Sequence, residues 1–244
     1  MPSSLRAVIF DLGGTLVHFP SWDESAGEKW IASHDALSAL GLAPPDREAY
    51  VRSMREAELA HWRRVENEQW SGPPTGIVQE GFRLLGLPAD ERTLLTAMDG
   101  YAASTVGWSQ LFPDTVMTLV TLRGLGYKIG LLSNTWWAAA WHNADLAAHG
   151  CGALIDALVY TSDLPHSKPH PSVFLEAADR LDIEPAEAVM VGDRMIDDIS
   201  GAQSVGMRGI WRRNTETPVR EDITPDAVID TLAEVPPLVT GWSA

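Results

Sequence analysis

The chain has almost no cysteine and no long apolar run. Cys151 is the single cysteine among 244 residues, so neither a disulfide within the chain nor a Cys-based zinc cluster can form. No stretch approaches the roughly 18 consecutive apolar residues that a membrane helix needs. The first residues also lack the charged-then-apolar pattern of a signal peptide. We therefore expect a cytoplasmic protein that does not enter membranes.

Basic residues are also scarce. Lys and Arg number 18 against 33 Asp and Glu, which gives a formal net charge of −15. A surface of this sign repels the phosphate backbone of nucleic acids, so nucleic acid is not an expected partner. An anionic small molecule would need a metal ion or local positive charge at its binding site.

What the chain does contain is an alternation of short apolar runs and amphipathic segments. The apolar runs predict buried strands at 6–10, 128–132, 157–160 and 188–191, with one more at 227–229 among loops. The amphipathic segments predict helices at 114–125, 171–181 and 197–205. Strands that alternate with helices are typical of an α/β fold, here a doubly wound, Rossmann-like parallel sheet.

The residue pattern between the first two predicted strands is different. It shows helical patterns punctuated by Pro and Gly, which predict helices at 23–40, 46–70, 75–85 and 89–103. We therefore expect an all-helical domain over 18–107, inserted into a core formed by 1–17 and 108–244. Pro20, Gly107 and Pro113 lie where the chain crosses between the two, so we expect these crossings to act as hinges.

Polar residues follow the predicted strands at the points where the strands end. They are Asp11, the pair Ser133 and Asn134, and Asp193. In an open parallel sheet, ligands bind outside the carboxyl ends of the strands. These residues are therefore the first candidates for a functional site.

The same residues lie in four segments that resemble the motifs of the haloacid dehalogenase superfamily. The segments are Asp11-Leu12-Gly13-Gly14-Thr15-Leu16, Leu131-Leu132-Ser133-Asn134, Ser167-Lys168-Pro169-His170-Pro171, and Val191-Gly192-Asp193 through Asp197-Asp198 to Gly201-Ala202. Each segment alone is weak evidence, but all four occur in order and at suitable spacing. The resemblance implies a hydrolase with a helical cap inserted after the first motif.

The resemblance also implies roles for individual residues. Asp11 would be the nucleophile that forms an aspartyl-phosphate, and Lys168 would orient it. The metal ligands implied are Asp11, the main-chain carbonyl of Gly13, Asp193 and a supporting acid, for which Asp198 aligns better than Asp197. Magnesium suits such oxygen ligands. The substrate phosphoryl group would lie among Gly14, Thr15, Ser133 and Asn134.

Gly13 departs from the family pattern. The phosphatases of the superfamily have a second Asp at this position, which protonates the leaving group and activates water. Glycine keeps the carbonyl but cannot move a proton, and loss of a positioned acid or base costs on the order of 10² to 10⁴ in rate.

Three functions remain open because of this departure. The first is a magnesium-dependent phosphatase acting on a small phosphorylated metabolite. In it, Thr15, a residue of the helical insert or a metal-bound water replaces the missing acid, or the leaving group departs easily, as that of an acyl phosphate does. The alternatives are a ligand-binding or regulatory pseudoenzyme, and a hydrolase of another bond, such as a 2-haloacid dehalogenase. The Trp-rich helical insert also makes a homodimer plausible.

Overall fold

The computed structural model describes residues 4–20, 22–42, 44–215 and 217–243. The strands in this part of the chain are β1 (Ala7–Phe10), β2 (Val17–His18), β3 (Gln110–Leu111), β4 (Lys128–Ser133), β5 (Ala157–Tyr160), β6 (Ala188–Gly192), β7 (Arg208–Arg212) and β8 (Ala227–Ile229). The α-helices are α1 (Trp22–Ala39), α2 (Arg47–Glu68), α3 (Gly76–Leu84), α4 (Glu91–Ala103), α5 (Thr115–Gly124), α6 (Ala139–Ala148), α7 (Pro171–Arg180), α8 (Gly201–Ser204) and α9 (Val235–Ser243). None of the described helices is both long and apolar enough to cross a bilayer.

Six of the strands form one parallel sheet in the order β5-β4-β1-β6-β7-β8. Phe10 at the end of β1 pairs with Leu131 on one side and with Val191 on the other. The residues that follow these strands therefore meet at one edge of the sheet, beside the point where the strand order reverses. This architecture confirms the predicted Rossmann-like α/β fold.

Both faces of the sheet are covered, and this explains the continuous apolar strands. On one face Val8 and Phe10 pack in a buried cluster with Leu119 of α5 and Val239 of α9. On the other face Ile9 packs in a second cluster that includes α7. Because its side chains are buried on both faces, β1 holds the residue that follows it in a fixed place.

Helices α1 to α4 form most of a third buried cluster, which includes Trp30, Tyr50 and Met54 and extends to Trp136 and Trp137 after β4. Gly100 lets α4 approach α1, because a Cβ atom at this position would lie 2.6 Å from the Cβ of Ala36. We refer to residues 18–107 as the cap and to the remainder as the core. The division into two domains with these boundaries stays a prediction.

The structure also corrects several sequence expectations. Strand β7 was not predicted, because an Arg at each end and Gly209 interrupt its apolar run. The residues after Arg212 were expected to be loops around one strand, but they also form α9. Proline is compatible with the first turn of a helix, where its missing N–H costs no hydrogen bond, so Pro236 and Pro237 do not prevent α9.

Candidate active site

Asp11 and Lys168 form a buried ion pair at the carboxyl end of β1. The Lys168 Nζ atom donates to Oδ1 of Asp11 at 2.6 Å and to Oδ1 of Asp198 at 2.7 Å. It also donates to the main-chain oxygen of Leu132 at 3.0 Å. All three charged side chains are 10% exposed or less. Lys168 therefore fixes the orientation of Asp11 and compensates its charge.

Three carboxylates converge at this point and could hold a cation. One oxygen each of Asp11, Asp193 and Asp198 lies within 4.8 Å of the others. Asp193 Oδ1 is buried and has no hydrogen-bond partner within the described residues, whereas its Oδ2 accepts from Asn214 Nδ2 at 2.7 Å. A buried oxygen without a donor is costly unless a cation or water binds it. The donor set, all oxygen and largely anionic, fits Mg²⁺.

Two glycines make room for these carboxylates. Gly14 has a φ of +83°, and a Cβ there would lie 2.5 Å from Asp193 Oδ2. A Cβ on Gly192 would lie 2.3 Å from Cγ of Asp198. Any side chain at either position would displace a candidate metal ligand, so the sequence keeps glycine at both.

Burial and mutual repulsion perturb the acids. Burial raises the pKa of Asp11 to about 7, against the attraction of Lys168 and with added repulsion from the other two carboxylates. Burial also raises the pKa of Asp193 to about 6, and Asp198 adds to the shift. Burial alone would lower the pKa of Lys168, but Asp11 and Asp198 outweigh it and raise that pKa. A divalent ion would stabilise the ionised form of both acids.

A π-helical turn, Met195–Ser200, decides which of the two adjacent acids enters the site. Asp198 is fully buried; its Oδ2 accepts from the main-chain N–H of Arg194 at 2.9 Å, while Oδ1 binds Lys168. Asp197 instead forms an ion pair with the Arg194 side chain at 3.4 Å. The structure thus brings Asp198, and not Asp197, to the cluster.

The residues expected around the phosphoryl group lie beside the ion pair, with differing partners. Asn134 supports Lys168, since its Oδ1 accepts from the lysine N–H at 2.8 Å and its Nδ2 donates to the lysine carbonyl at 3.0 Å. The Gly14 N–H donates to Val17 O at 2.7 Å. Ser133 is buried, and so is Thr15, whose hydroxyl has no hydrogen-bond partner among the described residues. Thr15 Oγ1 is therefore a buried polar atom whose hydrogen-bonding capacity is unused within the described residues.

Comparison with known proteins agrees with this geometry. A family model described as haloacid dehalogenase-like hydrolase matches residues 5–206. The chain belongs to the haloacid dehalogenase-like hydrolases. Like other members of this family, it is a hydrolase.

Relatives of this hydrolase cover nearly its whole length. A glyceraldehyde 3-phosphate phosphatase of Methanopyrus kandleri is 29% identical over 231 residues, which are 93% of each chain. A phosphoglycolate phosphatase of Nitrosococcus oceani is 32% identical over 238 residues, or 96% of each chain. Among solved structures, a 2-haloacid dehalogenase of Pseudomonas syringae pv. tomato has a TM-score of 0.70 at 26% identity, covering 98% of this chain and 99% of that one.

Gly13 lies against an aromatic surface in this haloacid dehalogenase-like hydrolase. A Cβ at Gly13 would lie 3.4 Å from Cε2 of Phe19, and its φ is outside the left-handed region. The Phe19 ring packs against Trp108 at 5.1 Å and Trp137 at 5.8 Å between centroids. The side of Gly13 on which a side chain would project is therefore apolar.

The end of β7 and the segment after it contribute residues that the sequence did not reveal. Asn214 holds Asp193 as described above, and Trp211 Nε1 and Thr217 Oγ1 both donate to the main-chain oxygen of Asp193 at 3.0 Å. Arg212 Nη1 donates to Gly14 O at 2.7 Å, and its guanidinium lies 3.8 Å from the centre of the Phe112 ring. The residues in these contacts are far apart in the sequence. The one sequence signal that could have pointed to Asn214 is its place just after the end of a strand.

Proposed function

We propose that this hydrolase is a magnesium-dependent phosphatase that acts on a small phosphorylated metabolite through an aspartyl-phosphate at Asp11. The buried contact of Asp11 with Lys168, beside Asp193 and Asp198, is the observation that carries the proposal. It supplies a carboxylate nucleophile, a compensating cation and an oxygen-rich cation site at one sheet edge. The two relatives named as phosphatases also support hydrolysis of a phosphate bond.

In the proposed reaction an oxygen of Asp11 attacks phosphorus, and the bond from phosphorus to the leaving-group oxygen breaks with its electron pair. Water then attacks the phosphorus of the aspartyl-phosphate, which releases phosphate and regenerates the carboxylate. Lys168 holds Oδ1 of Asp11, which leaves Oδ2 to attack. Thr15 and Ser133 donate hydrogen bonds to the phosphoryl oxygens, together with the main-chain N–H of Asn134.

Asp11, Asp193 and the main-chain oxygen of Gly13 would hold Mg²⁺, which neutralises the carboxylate and the phosphoryl group as they approach. Asp198 supports this arrangement through Lys168, because both of its oxygens already accept hydrogen bonds from the protein. Asn214 donates to one oxygen of Asp193, and the other oxygen, which has no partner among the described residues, would hold the cation.

The apolar surface at Gly13 affects which substrates the proposed phosphatase would favour. No side chain at position 13 can protonate the leaving group, so substrates whose leaving group departs as a stable anion are favoured. Acyl and aryl phosphates meet this condition, whereas alkyl phosphates do not.

Release of inorganic phosphate tests the proposal. Acetyl phosphate and p-nitrophenyl phosphate should be hydrolysed in the presence of Mg²⁺, and hydrolysis should stop in EDTA and in Asp11→Asn. Failure of wild-type protein to release phosphate from a broad panel of phosphorylated metabolites would reject the proposal.

One observation favours a second candidate function, hydrolysis of a carbon–halogen bond. The aromatic surface at Gly13 offers an apolar site, and a 2-haloacid dehalogenase is among the structures of similar fold. Release of chloride from 2-chloropropionate without added metal, with no phosphate release from the panel, would favour this candidate.

A further inference from the structure

Lys29, on α1 of the cap, is a buried cation without an ion pair. Its side chain is only 3% exposed, and its Nζ atom donates to Ser25 Oγ at 2.8 Å, one turn earlier in the helix. Burial lowers the pKa of Lys29, against the attraction of Glu28 and Glu58. Neither acid forms an ion pair with it, since the carboxylate of Glu58 instead pairs with Arg55 at 2.6 Å. The cap therefore keeps a positive charge in a place where a charge is costly.

The ammonium group of Lys29 lies against the aromatic surface that covers position 13. Its Nζ atom is 3.3 Å from the centre of the Trp108 ring, whose face attracts the cation without neutralising it. Trp108 also packs on Phe19, the ring that covers Gly13. The Trp108 indole N–H donates to Pro20 O at 2.8 Å. Lys29 therefore lies beside the chain crossings between cap and core, and ligand sites are common at such boundaries.

The other two lysines of the chain are already paired with acids. Lys168 pairs with Asp11 at 2.6 Å, and Lys128 lies 3.9 Å from an oxygen of Asp182. Lys29 alone among the lysines has no acidic partner in the part of the chain that the structure describes. In a chain with a net charge of −15, an anionic group of a ligand needs such a local positive charge. Lys29 could supply it without first breaking an ion pair.

We propose that Lys29 binds a carboxylate at the far end of the substrate's leaving group. One ammonium matches the single negative charge of a carboxylate. The rings of Phe19, Trp108 and Trp137 contact the apolar part of the leaving group, which separates this carboxylate from the phosphoryl group. The inference rests on the proposed function, because it takes the phosphoryl group to lie at Asp11. It narrows the substrate class to acyl or aryl phosphates that carry a carboxylate.

Matched aryl phosphates test the proposed contact in wild-type protein. The probes are the phosphate esters of p-hydroxyphenylacetate, p-hydroxyphenylpropionate and p-hydroxyphenylbutyrate, each compared with its neutral amide. The methylene groups insulate the phenol oxygen from the tail, so the two leaving groups of a pair are alike. At the tail length that reaches Lys29, kcat/KM should be at least about 10-fold higher for the carboxylate, mostly through KM. No preference for the carboxylate at any tail length would overturn the proposal.

Substitution of Lys29 tests whether this residue causes the preference. Lys29→Met keeps a long unbranched side chain but removes the charge, so the ratio of kcat/KM for carboxylate and amide should fall to about 1. Lys29→Arg keeps the charge and should keep part of the preference. Lys128→Met removes the same charge at the start of β4, the end of the strand opposite the site, and should match wild type.

Two results of these substitutions would overturn the proposal. The first is a ratio in Lys29→Met equal to that of wild type, which would place the carboxylate elsewhere. The second is an equal loss of kcat on carboxylate and amide with the ratio unchanged, because Lys29 would then act on the leaving-group oxygen or on the cap and not on the tail.

Thermal unfolding separates a binding role from a structural one. A buried ammonium without an ion pair is costly, so Lys29→Met should melt at the same temperature as wild type or higher. A lower melting temperature with an unchanged ratio of carboxylate to amide would show that Lys29 supports the cap through Trp108, and would overturn the proposal. If Lys29→Met does not fold, the ratios in wild type and in Lys29→Arg decide the matter.

Calorimetry with the dephosphorylated p-hydroxyphenyl compounds tests Lys29 without catalysis. Wild-type protein should bind the carboxylate of the preferred tail length at least about 10-fold more tightly than its amide, and Lys29→Met should bind the two alike. Wild-type protein that releases no phosphate would reject the proposed function, while this difference in affinity would still support the role of Lys29. Equal affinity for carboxylate and amide in wild type would overturn that role, whether or not the protein releases phosphate.

Discussion

The two sides of the candidate site differ in chemistry. At the sheet edge, Asp11, Lys168, Asp193 and Asp198 are buried; Lys168 forms ion pairs with Asp11 and Asp198, and the three carboxylates lie within 4.8 Å of one another. On the side facing the cap, the Phe19 ring covers Gly13 and packs on two tryptophans. The half proposed to supply the nucleophile and to hold a cation is thus acidic and buried, while the half that would transfer a proton is apolar. Metal binding and proton transfer can therefore be tested separately in this chain.

The largest expected effect comes from the nucleophile. Asp11→Asn should lower kcat at least about 10³-fold, because the amide cannot form the aspartyl-phosphate. Asp197→Asn, which removes only an ion pair with Arg194, is the control and should retain most activity. Equal losses in the two variants would contradict the assigned role of Asp11.

An acid introduced at position 13, on the apolar side of the site, tests whether proton transfer limits turnover. Gly13→Asp should raise turnover of alkyl phosphates by up to about 10² to 10⁴, with smaller gains for acyl and aryl phosphates. The backbone at Gly13 accepts a side chain, and its Cβ would be in ordinary contact with Phe19. Gly13→Asn, which has the same shape without the acid, is the control.

The gain in Gly13→Asp must be selective for poor leaving groups and must occur at unchanged Mg²⁺ affinity and melting temperature. No gain on alkyl phosphates under these conditions would show that proton transfer does not limit this enzyme. The binding-protein and dehalogenase alternatives would then gain weight.

Substitution of Asn214, which lies outside the acidic cluster, tests the proposed metal site at the sheet edge. Asn214→Ala should weaken Mg²⁺ binding by about 10- to 100-fold, because Asp193 loses the donor that orients it. Thr217→Ala is the comparison variant, since the Thr217 hydroxyl donates to the main-chain oxygens of Asp193 and Asn214 and not to a carboxylate oxygen. Calorimetry that finds equal affinity in the two variants would contradict the orienting role of Asn214.

The smallest expected effect is on stability. Without Mg²⁺, neutral Asp11 and Asp193 contribute stability that is complete below their unfolded pKa of about 3.8 and is lost as pH rises through about 6 and about 7. Mg²⁺ binds the ionised forms, so the gain in melting temperature on adding Mg²⁺ should grow by a few degrees from about pH 5 to about pH 8. A gain that is independent of pH would contradict the raised pKa values.

The sequence predicted the parts of the structure that depend on local pattern. Strand β5, the four cap helices and the polar residues after β1, β4 and β6 follow from apolar runs and helical spacing. Strand β7 was missed because its arginines and glycine interrupt the run. The helical pattern at 197–205 gave no sign of the π-helical turn that turns Asp198 inward.

The contacts that were missed are long-range and involve residues of ordinary loop type. Asn214 resembles any polar loop residue, and Trp70 was predicted as the last residue of the helix at 46–70; only the fold brings them to Asp193 and His166. The effect of Gly13 was predicted as a missing proton donor, but its apolar neighbour Phe19 is visible only in the structure. Single-sequence patterns identify which residues end strands, and they do not identify what packs on them.

Direct detection of the covalent intermediate tests the central claim most directly. Wild-type protein mixed with acetyl phosphate and Mg²⁺, quenched in acid within the first turnover and digested, should carry phosphate on the peptide that contains Asp11. Asp11→Asn treated in the same way should carry none. Hydrolysis of acetyl phosphate without any phosphorylated peptide, or phosphate on a residue other than Asp11, would contradict the account.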